Sequence, residues 1–149
     1  MRIGLGADHA GCALKATLAA HLAAQGHVVV DFGTTDPAVS VDYPDYARPV
    51  AEAVSAGSLD LGVLMCGTGI GMSIAANKVL GIRAAVVHDV TSARLARRHN
   101  GANVLCLGAR LLDPALAIDC IDAFLGESFE TRHQRRLDKI SGIERGQSR

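Results

Sequence analysis

The sequence contains no tryptophan, two tyrosines and three phenylalanines, so aromatic residues make up only 3% of it. With 49% hydrophobic residues, the core must be filled by Ala, Val, Leu and Ile, which suits layered helices and strands better than an aromatic-rich β-sandwich. An excess of either charge is also missing: 15 basic residues balance 15 acidic ones. That balance offers no global attraction to nucleic acid or to an anionic membrane, so any anion specificity must come from a local cluster. No apolar run reaches the length of a membrane span. The chain enters the strand-like RIGLGA at once, without a basic segment and apolar run of signal type. The four cysteines are widely spaced with no CxxC pair, which suits reduced thiols, and the cytoplasm is the expected compartment. At 149 residues a single domain over 1–149 is expected.

Short apolar runs alternate with helical patterns. Ile3 to Ala7, Val28 to Phe32, Leu61 to Met65, Ala84 to Val87 and Val104 to Leu107 read as five strands, each nearly continuously apolar, as in strands covered on both faces. Between them Leu14, Leu18 and Leu22 form one stripe of a helix over Cys12 to Gln25, with Gly26 as its C-terminal stop. Residues 45–55, 72–78 and 91–99 supply further helices, and Asp113-Pro114 is an N-cap and first-turn proline for a helix through Leu125. The alternation predicts an α/β fold, a doubly wound, Rossmann-like five-stranded parallel sheet with helices on both faces. A polar loop from Gly33 to Tyr43 is long enough to be a site element. A charged tail from about 131 to 149 is too polar to belong wholly to this core.

Ligands of an open parallel sheet bind beyond the carboxyl ends of its strands. Asp8-His9, Cys66 to Gly71, His88-Asp89 and Arg110 fall at such ends. The segment CGTGIG is the strongest local feature. Its glycines (Gly67, Gly69, Gly71) allow a tight turn and close backbone approach, and its N–H groups, leading into a helix, can form an anion nest. A thiol at such a positive terminus is expected to gain thiolate character. The bland alternative is a buried cysteine beside a turn, which is the preferred reading for Cys106 and Cys120. The loop also invites a nucleotide reading with Asp89 as a ribose acid, but its spacing is GxGxG rather than GxGxxG and it follows the third strand. His99-Asn100 ends a helix, where a cationic histidine can be purely electrostatic. Arg132 and Arg136 stand four residues apart, on one face if helical, and with Arg110 their forked donors suit a phosphate; a solvated basic face is the alternative. No paired ligand spacing supports a metal among His9, His99, Asp8 and Cys66, and no cofactor is expected.

The segments GADHAG (6–11), DYPDYA (42–47), CGTGIGMSIAANK (66–78), GIRAAV (81–86), RRHNGANVLCLGAR (97–110) and RHQRR (132–136) together resemble the ribose-5-phosphate isomerase B, or RpiB/LacAB, family of sugar-phosphate isomerases, over essentially the whole chain and in order. The resemblance implies an aldose–ketose isomerase acting on ribose 5-phosphate and ribulose 5-phosphate through a cis-enediol, without metal or redox cofactor. It implies Cys66 as the base between C1 and C2, Thr68 assisting its proton transfers, and Gly67 to Gly71 with Asn100 as the enediolate pocket. His99 would open the furanose ring, with Asp8 near the sugar oxygens. His9, Arg132 and Arg136 would hold phosphate, with Arg110 and Tyr43 as neighbours. Family members are homodimers or dimers of dimers with composite active sites, so the tail is expected to form a helix docking on a partner subunit. Related enzymes act on allose 6-phosphate, galactose 6-phosphate or a tetrose phosphate, and a non-catalytic phosphosugar- or nucleotide-binding module is the remaining alternative.

Overall fold

A computed structural model describes residues 1–147 of the chain. Five strands, β1 (Arg2–Ala7), β2 (Val28–Asp31), β3 (Leu61–Cys66), β4 (Ala84–Val86) and β5 (Val104–Gly108), form one parallel sheet in the order β2-β1-β3-β5-β4. Between and after them run α1 (Cys12–Ala24), α2 (Pro44–Ser55), α3 (Ile70–Ala76), α4 (Val90–Asn100), α5 (Pro114–Leu125) and α6 (Gln134–Gln147), the last preceded by a 3-10 turn at Thr131–His133. The chain winds outward from β1 to β2, then returns to the other side of β1 for β3. The strand order therefore switches between β1 and β3.

Two apolar layers cover the sheet. On one face Leu14, Leu18 and Leu22 of α1 pack with Ala93 and Ala96 of α4 and Ile121 and Phe124 of α5. On the other, Val50 and Val54 of α2 meet Met72 and Ala76 of α3. Continuous burial holds for the central strands β3 and β5, whereas the edge strands β2 and β4 are partly exposed because each has one neighbour. Burying each large aliphatic side chain contributes on the order of 1.5–3 kcal/mol, so this layering is the main source of stability.

Local chemistry sets the helix limits. Gly26, at φ 81°, closes α1 with a paired turn: its N–H reaches the Ala23 carbonyl at 3.0 Å and the His27 N–H reaches that of Leu22 at 3.1 Å. Asp113 caps α5 by accepting the Leu116 N–H at 2.8 Å, with Pro114 in the first turn. Helix α3 begins at Ile70, two residues before the expected start, because Gly69 at φ 79° turns the chain directly into it. Asp89 caps α4, accepting the Ser92 N–H at 2.7 Å and the Ser92 hydroxyl at 2.9 Å. Those bonds hold its carboxyl below the usual range.

The free side of β4 is closed by side chains. Asn77 Oδ1 accepts the Ala84 N–H at 2.8 Å and its amide donates to the Ala84 carbonyl at 2.9 Å. Asn103 does the same for the preceding turn, accepting the Arg83 N–H at 2.8 Å and donating to the Gly81 carbonyl at 2.9 Å. No helix of the described residues is long and apolar enough to cross a membrane. The tail is helical as expected over its described part; residues 148–149 lie outside the described residues.

Asp113→Ala should remove one helix cap, cost about 1 kcal/mol and lower Tm by roughly 2–4 °C in a thermal melt. An unchanged melt would show that the cap contributes nothing.

Candidate active site

At the switch point the ends of β1 and β3 stand side by side, tied by the Asp8 N–H bond to the Met65 carbonyl at 3.3 Å. Asp8 is buried, and its Oδ1 accepts the N–H groups of Ala10 at 2.9 Å and Gly11 at 3.0 Å. These bonds fix the turn ahead of α1, whose own N-cap is Gly11, and they occupy one carboxylate oxygen while leaving Oδ2 without a hydrogen bond among the described residues. His9 Nδ1 accepts the Val41 N–H at 3.2 Å. An imidazole accepting on Nδ1 carries its proton on Nε2 when neutral, so His9 presents a donor. The same bond ties the 33–43 loop to the strand end, as does Lys15, buried beneath it. The Lys15 ammonium binds both Asp31 oxygens at 2.9 and 2.8 Å and the Thr34 carbonyl at 2.8 Å. A lysine inside the first helix gave no signal by spacing, and its anchoring role was missed.

Cys66 ends β3 and is 5% exposed. Its Sγ accepts the Gly69 N–H at 3.1 Å, a bond that places the positive end of a peptide dipole on the sulfur. Thr68 Oγ1 accepts the Ile70 N–H at 3.3 Å, so its own hydrogen is left to donate. The N–H groups of Gly71 and Met72, in the first turn of α3, have no intrahelical acceptor. Each glycine has its own reason. A Cβ at Gly69 would lie 3.0 Å from the Leu107 backbone, and one at Gly71 would lie 2.6 Å from the Tyr43 ring. Tyr43 thus rests on the loop, and Arg110 lies over Gly67, where a Cβ would come 3.1 Å from its guanidinium. Asp8, His9, Tyr43, residues 66–71 and Arg110 therefore form one cluster at the carboxyl end of the sheet.

His99, Asn100, Arg132 and Arg136 do not join it. Each helix runs back against its strand, so the end of α4 lies at the amino end of the sheet, where Asn100 precedes β5. Cys66 pairs with Gly108 at the far end of β5, four strand steps beyond Val104, or about 13 Å at roughly 3.3 Å per residue. The tail packs at the same amino end as His99. The Glu130 N–H reaches the Arg98 carbonyl at 2.8 Å, and Leu137 lies against Gly101.

Within this second cluster the expected common helical face is not formed, because Arg132 sits in the 3-10 turn and Arg136 in α6. Glu130, unremarked in the sequence, ion-pairs with both Arg132 and Arg98; the hydrogen bond from Arg132 first, then that from Arg98, holds its carboxyl below the usual range. His133 is buried, its ring centroid 4.7 Å from that of His99, and it accepts from Arg136 Nη1 on Nδ1 at 3.1 Å. The signal for both residues was only their place beside the arginine run. His99, Glu130 and His133 bring ligand atoms within 4.8 Å of one another, but the adjoining guanidiniums of Arg98, Arg132 and Arg136 make the cluster one that favours an anion over a cation.

The other thiols differ in kind. Cys106 and Cys120 have no exposed surface. Burial pushes the Cys106 thiol up, and Cys66 beside it adds to the effect. Burial, followed by the charges of Asp89 and Asp119, pushes Cys120 up to about 11. A raised thiol pKa leaves less thiolate at a given pH, so at pH 8 iodoacetamide should label Cys66 and Cys12 well before Cys106 and Cys120, read by peptide mass spectrometry. Labelling of Cys106 or Cys120 at the rate of Cys66 would contradict this ranking.

A family model described as Ribose/Galactose Isomerase matches residues 3–140. Ribose-5-phosphate isomerase B of Escherichia coli (strain K12) is 48% identical over 144 residues, covering 96% of each chain. Among solved structures, ribose-5-phosphate isomerase B of Clostridium thermocellum aligns with a TM-score of 0.95 at 50% identity, covering 98% of this chain and 99% of that one. The Mycoplasma genitalium ribose-5-phosphate isomerase B with bound ribulose-5-phosphate aligns with a TM-score of 0.93 at 44% identity, covering 97% and 96%.

Proposed function

The chain belongs to the ribose/galactose isomerase family, and on that premise we propose that it interconverts ribose 5-phosphate and ribulose 5-phosphate through a cis-enediolate. The observation that carries this reading is Cys66, a thiol at the switch point with a donated N–H on its sulfur and unpaired N–H groups in the same loop. In the open-chain aldose, Cys66 removes the proton from C2 as electrons move onto the carbonyl oxygen O1. The N–H groups of Gly71 and Met72, with the side chain of Asn100, stabilise that oxyanion. O1 then gains a proton and O2 loses one, with Thr68 assisting, and Cys66 returns its proton to C1. The base ends as it began, and the balance needs no metal or redox cofactor. His99 opens the furanose ring, and the free oxygen of Asp8 faces the sugar hydroxyls. The Nε2–H of His9 and the guanidiniums of Arg132 and Arg136 hold the phosphate, whose remote binding energy keeps the chain in register. Arg110 and Tyr43 border the same pocket.

These roles fall in two clusters at opposite ends of one sheet, farther apart than a pentose phosphate extends. The site is therefore composite: one subunit supplies Asp8, His9 and Cys66, and a second copy supplies His99, Asn100 and the tail arginines. The minimal assembly is a homodimer, with the helical tail docking on the partner. A cytoplasmic setting agrees with four cysteines that form no disulfide. The family description also spans galactose substrates, so a hexose phosphate is the second reading.

Cys66→Ala should lower kcat by 10²–10⁴-fold on ribose 5-phosphate and abolish solvent deuterium incorporation. A fully active variant would sink the base assignment, and turnover of hexose phosphates alone would move the substrate. Arg132→Ala and Arg136→Ala should mainly raise KM. Assayed at a substrate concentration far below the raised KM of Arg136→Ala, where neither variant alone turns over appreciably, mixing unfolded Cys66→Ala and Arg136→Ala chains and refolding them should restore about a quarter of wild-type activity, since half the dimers are mixed and each has one intact site. No recovery on mixing would place the whole site within one subunit.

A further inference from the structure

His133 is the buried polar side chain for which the fold itself gives no complete account. It is 4% exposed, and its Nε2 is a buried nitrogen without a hydrogen-bond partner among the described residues. Its Nδ1 lies 3.1 Å from Arg136 Nη1. A guanidinium can only donate, so Nδ1 is the bare acceptor and the ring proton sits on Nε2. The nearest carboxylate oxygen, Glu130 Oε2, stands 3.7 Å from Nε2, beyond hydrogen-bond reach, and Glu130 is already held by Arg98 and Arg132. Burial, then the charges of Arg132, His99 and Arg136, push the His133 imidazole below its usual range against the opposing pull of Glu130. A neutral ring, able to accept from an arginine, is what this surrounding selects.

An unpaired buried N–H costs stability, and an apolar side chain of similar size would avoid that cost. What the imidazole supplies and a leucine cannot is an acceptor for Arg136. The same ring lies against His99 at 4.7 Å between centroids and 44° between planes, so it touches both a proposed phosphate ligand and the proposed ring-opening group. We propose that His133 is a positioning residue for the isomerisation: through Nδ1 it orients the Arg136 guanidinium toward the substrate phosphate, and through its ring face it sets the plane of His99. This rests on the reading of Arg136 as a phosphate ligand.

The test compares His133→Leu, which keeps bulk without an acceptor, with His133→Asn, whose amide oxygen can accept where Nδ1 did. Each is made alone and with Arg136→Ala. KM for ribose 5-phosphate, the inhibition constant of inorganic phosphate and Tm are measured. His133→Leu should raise KM and the phosphate constant about tenfold with a smaller change in kcat, and Tm should hold or rise. His133→Asn should recover most of the KM. In the Arg136→Ala background His133→Leu should add less than about twofold, because a residue acting through another has nothing left to act on. Unchanged KM and phosphate inhibition in His133→Leu would overturn the proposal, as would a full tenfold effect without Arg136 or no recovery by asparagine. If His133→Leu does not fold, His133→Met takes its place; failure of both to fold would also overturn it, since the side chain would then be structural. A wild-type protein inactive on every sugar phosphate would instead defeat the functional reading, and calorimetric binding of inorganic phosphate by the same variants would still decide the role of His133.

Discussion

Each helix that links two strands in this fold must run opposite to the strands it joins, because all the strands are parallel and the chain has to return to the amino edge before the next one starts. That constraint sorts side chains by their place in the unit. Residues just after a strand, such as Asp8, His9 and Cys66, gather at one edge. Residues ending a helix, such as His99 and Asn100, gather at the other, and the tail joins them through Glu130 and Leu137. With the roles proposed above, a proton-transfer group and a phosphate grip so divided do not meet on one small substrate within one copy. The proposed second subunit thus follows from the parallel run of the strands.

Within the carboxyl edge, precision comes from backbone packed on backbone. A Cβ at Gly11 would lie 2.5 Å from the Met65 carbonyl oxygen, and one at Gly108 would lie 2.8 Å from Thr68 main-chain atoms. With Gly69 against Leu107, the 66–71 loop is wedged between the ends of two strands. Close backbone contact leaves few soft side-chain degrees of freedom there, which suits a sulfur whose hydrogen bond to Gly69 must keep its direction.

The sheet, its five strands and the cluster around Cys66 were legible because their signals are local: apolar runs, a glycine-rich turn, Asp-Pro at a helix start. Edge exposure of β2 and β4 was not, since it depends on strand order, which no single strand encodes. Asp89, weighed as a ribose-binding acid and set aside on the spacing of the glycine loop, is a helix cap through its bonds to Ser92. Arg132 and Arg136 were read through helical spacing, and a 3-10 turn broke that spacing. Glu130 and Lys15 escaped notice, and His133 was seen only as a neighbour of the tail arginines, because each takes its meaning from a partner distant in sequence or from burial, and neither is visible in residue type alone.

The two asparagines beside β4 have a consequence for how the protein behaves in a crowded solution. An exposed strand edge is a template on which another chain can add, and repeated addition builds insoluble fibres. Asn77 offers Ala84 both halves of a peptide group, donor and acceptor, from a side chain that cannot itself be extended. It behaves as a one-residue strand that stops polymer growth before it begins, and Asn103 shields the turn leading in. At the free edge of this shortest strand Asn77 is joined by the Ser73 hydroxyl, which also donates to the Ala84 carbonyl at 3.0 Å, so the border is guarded by neutral polar groups rather than by charge.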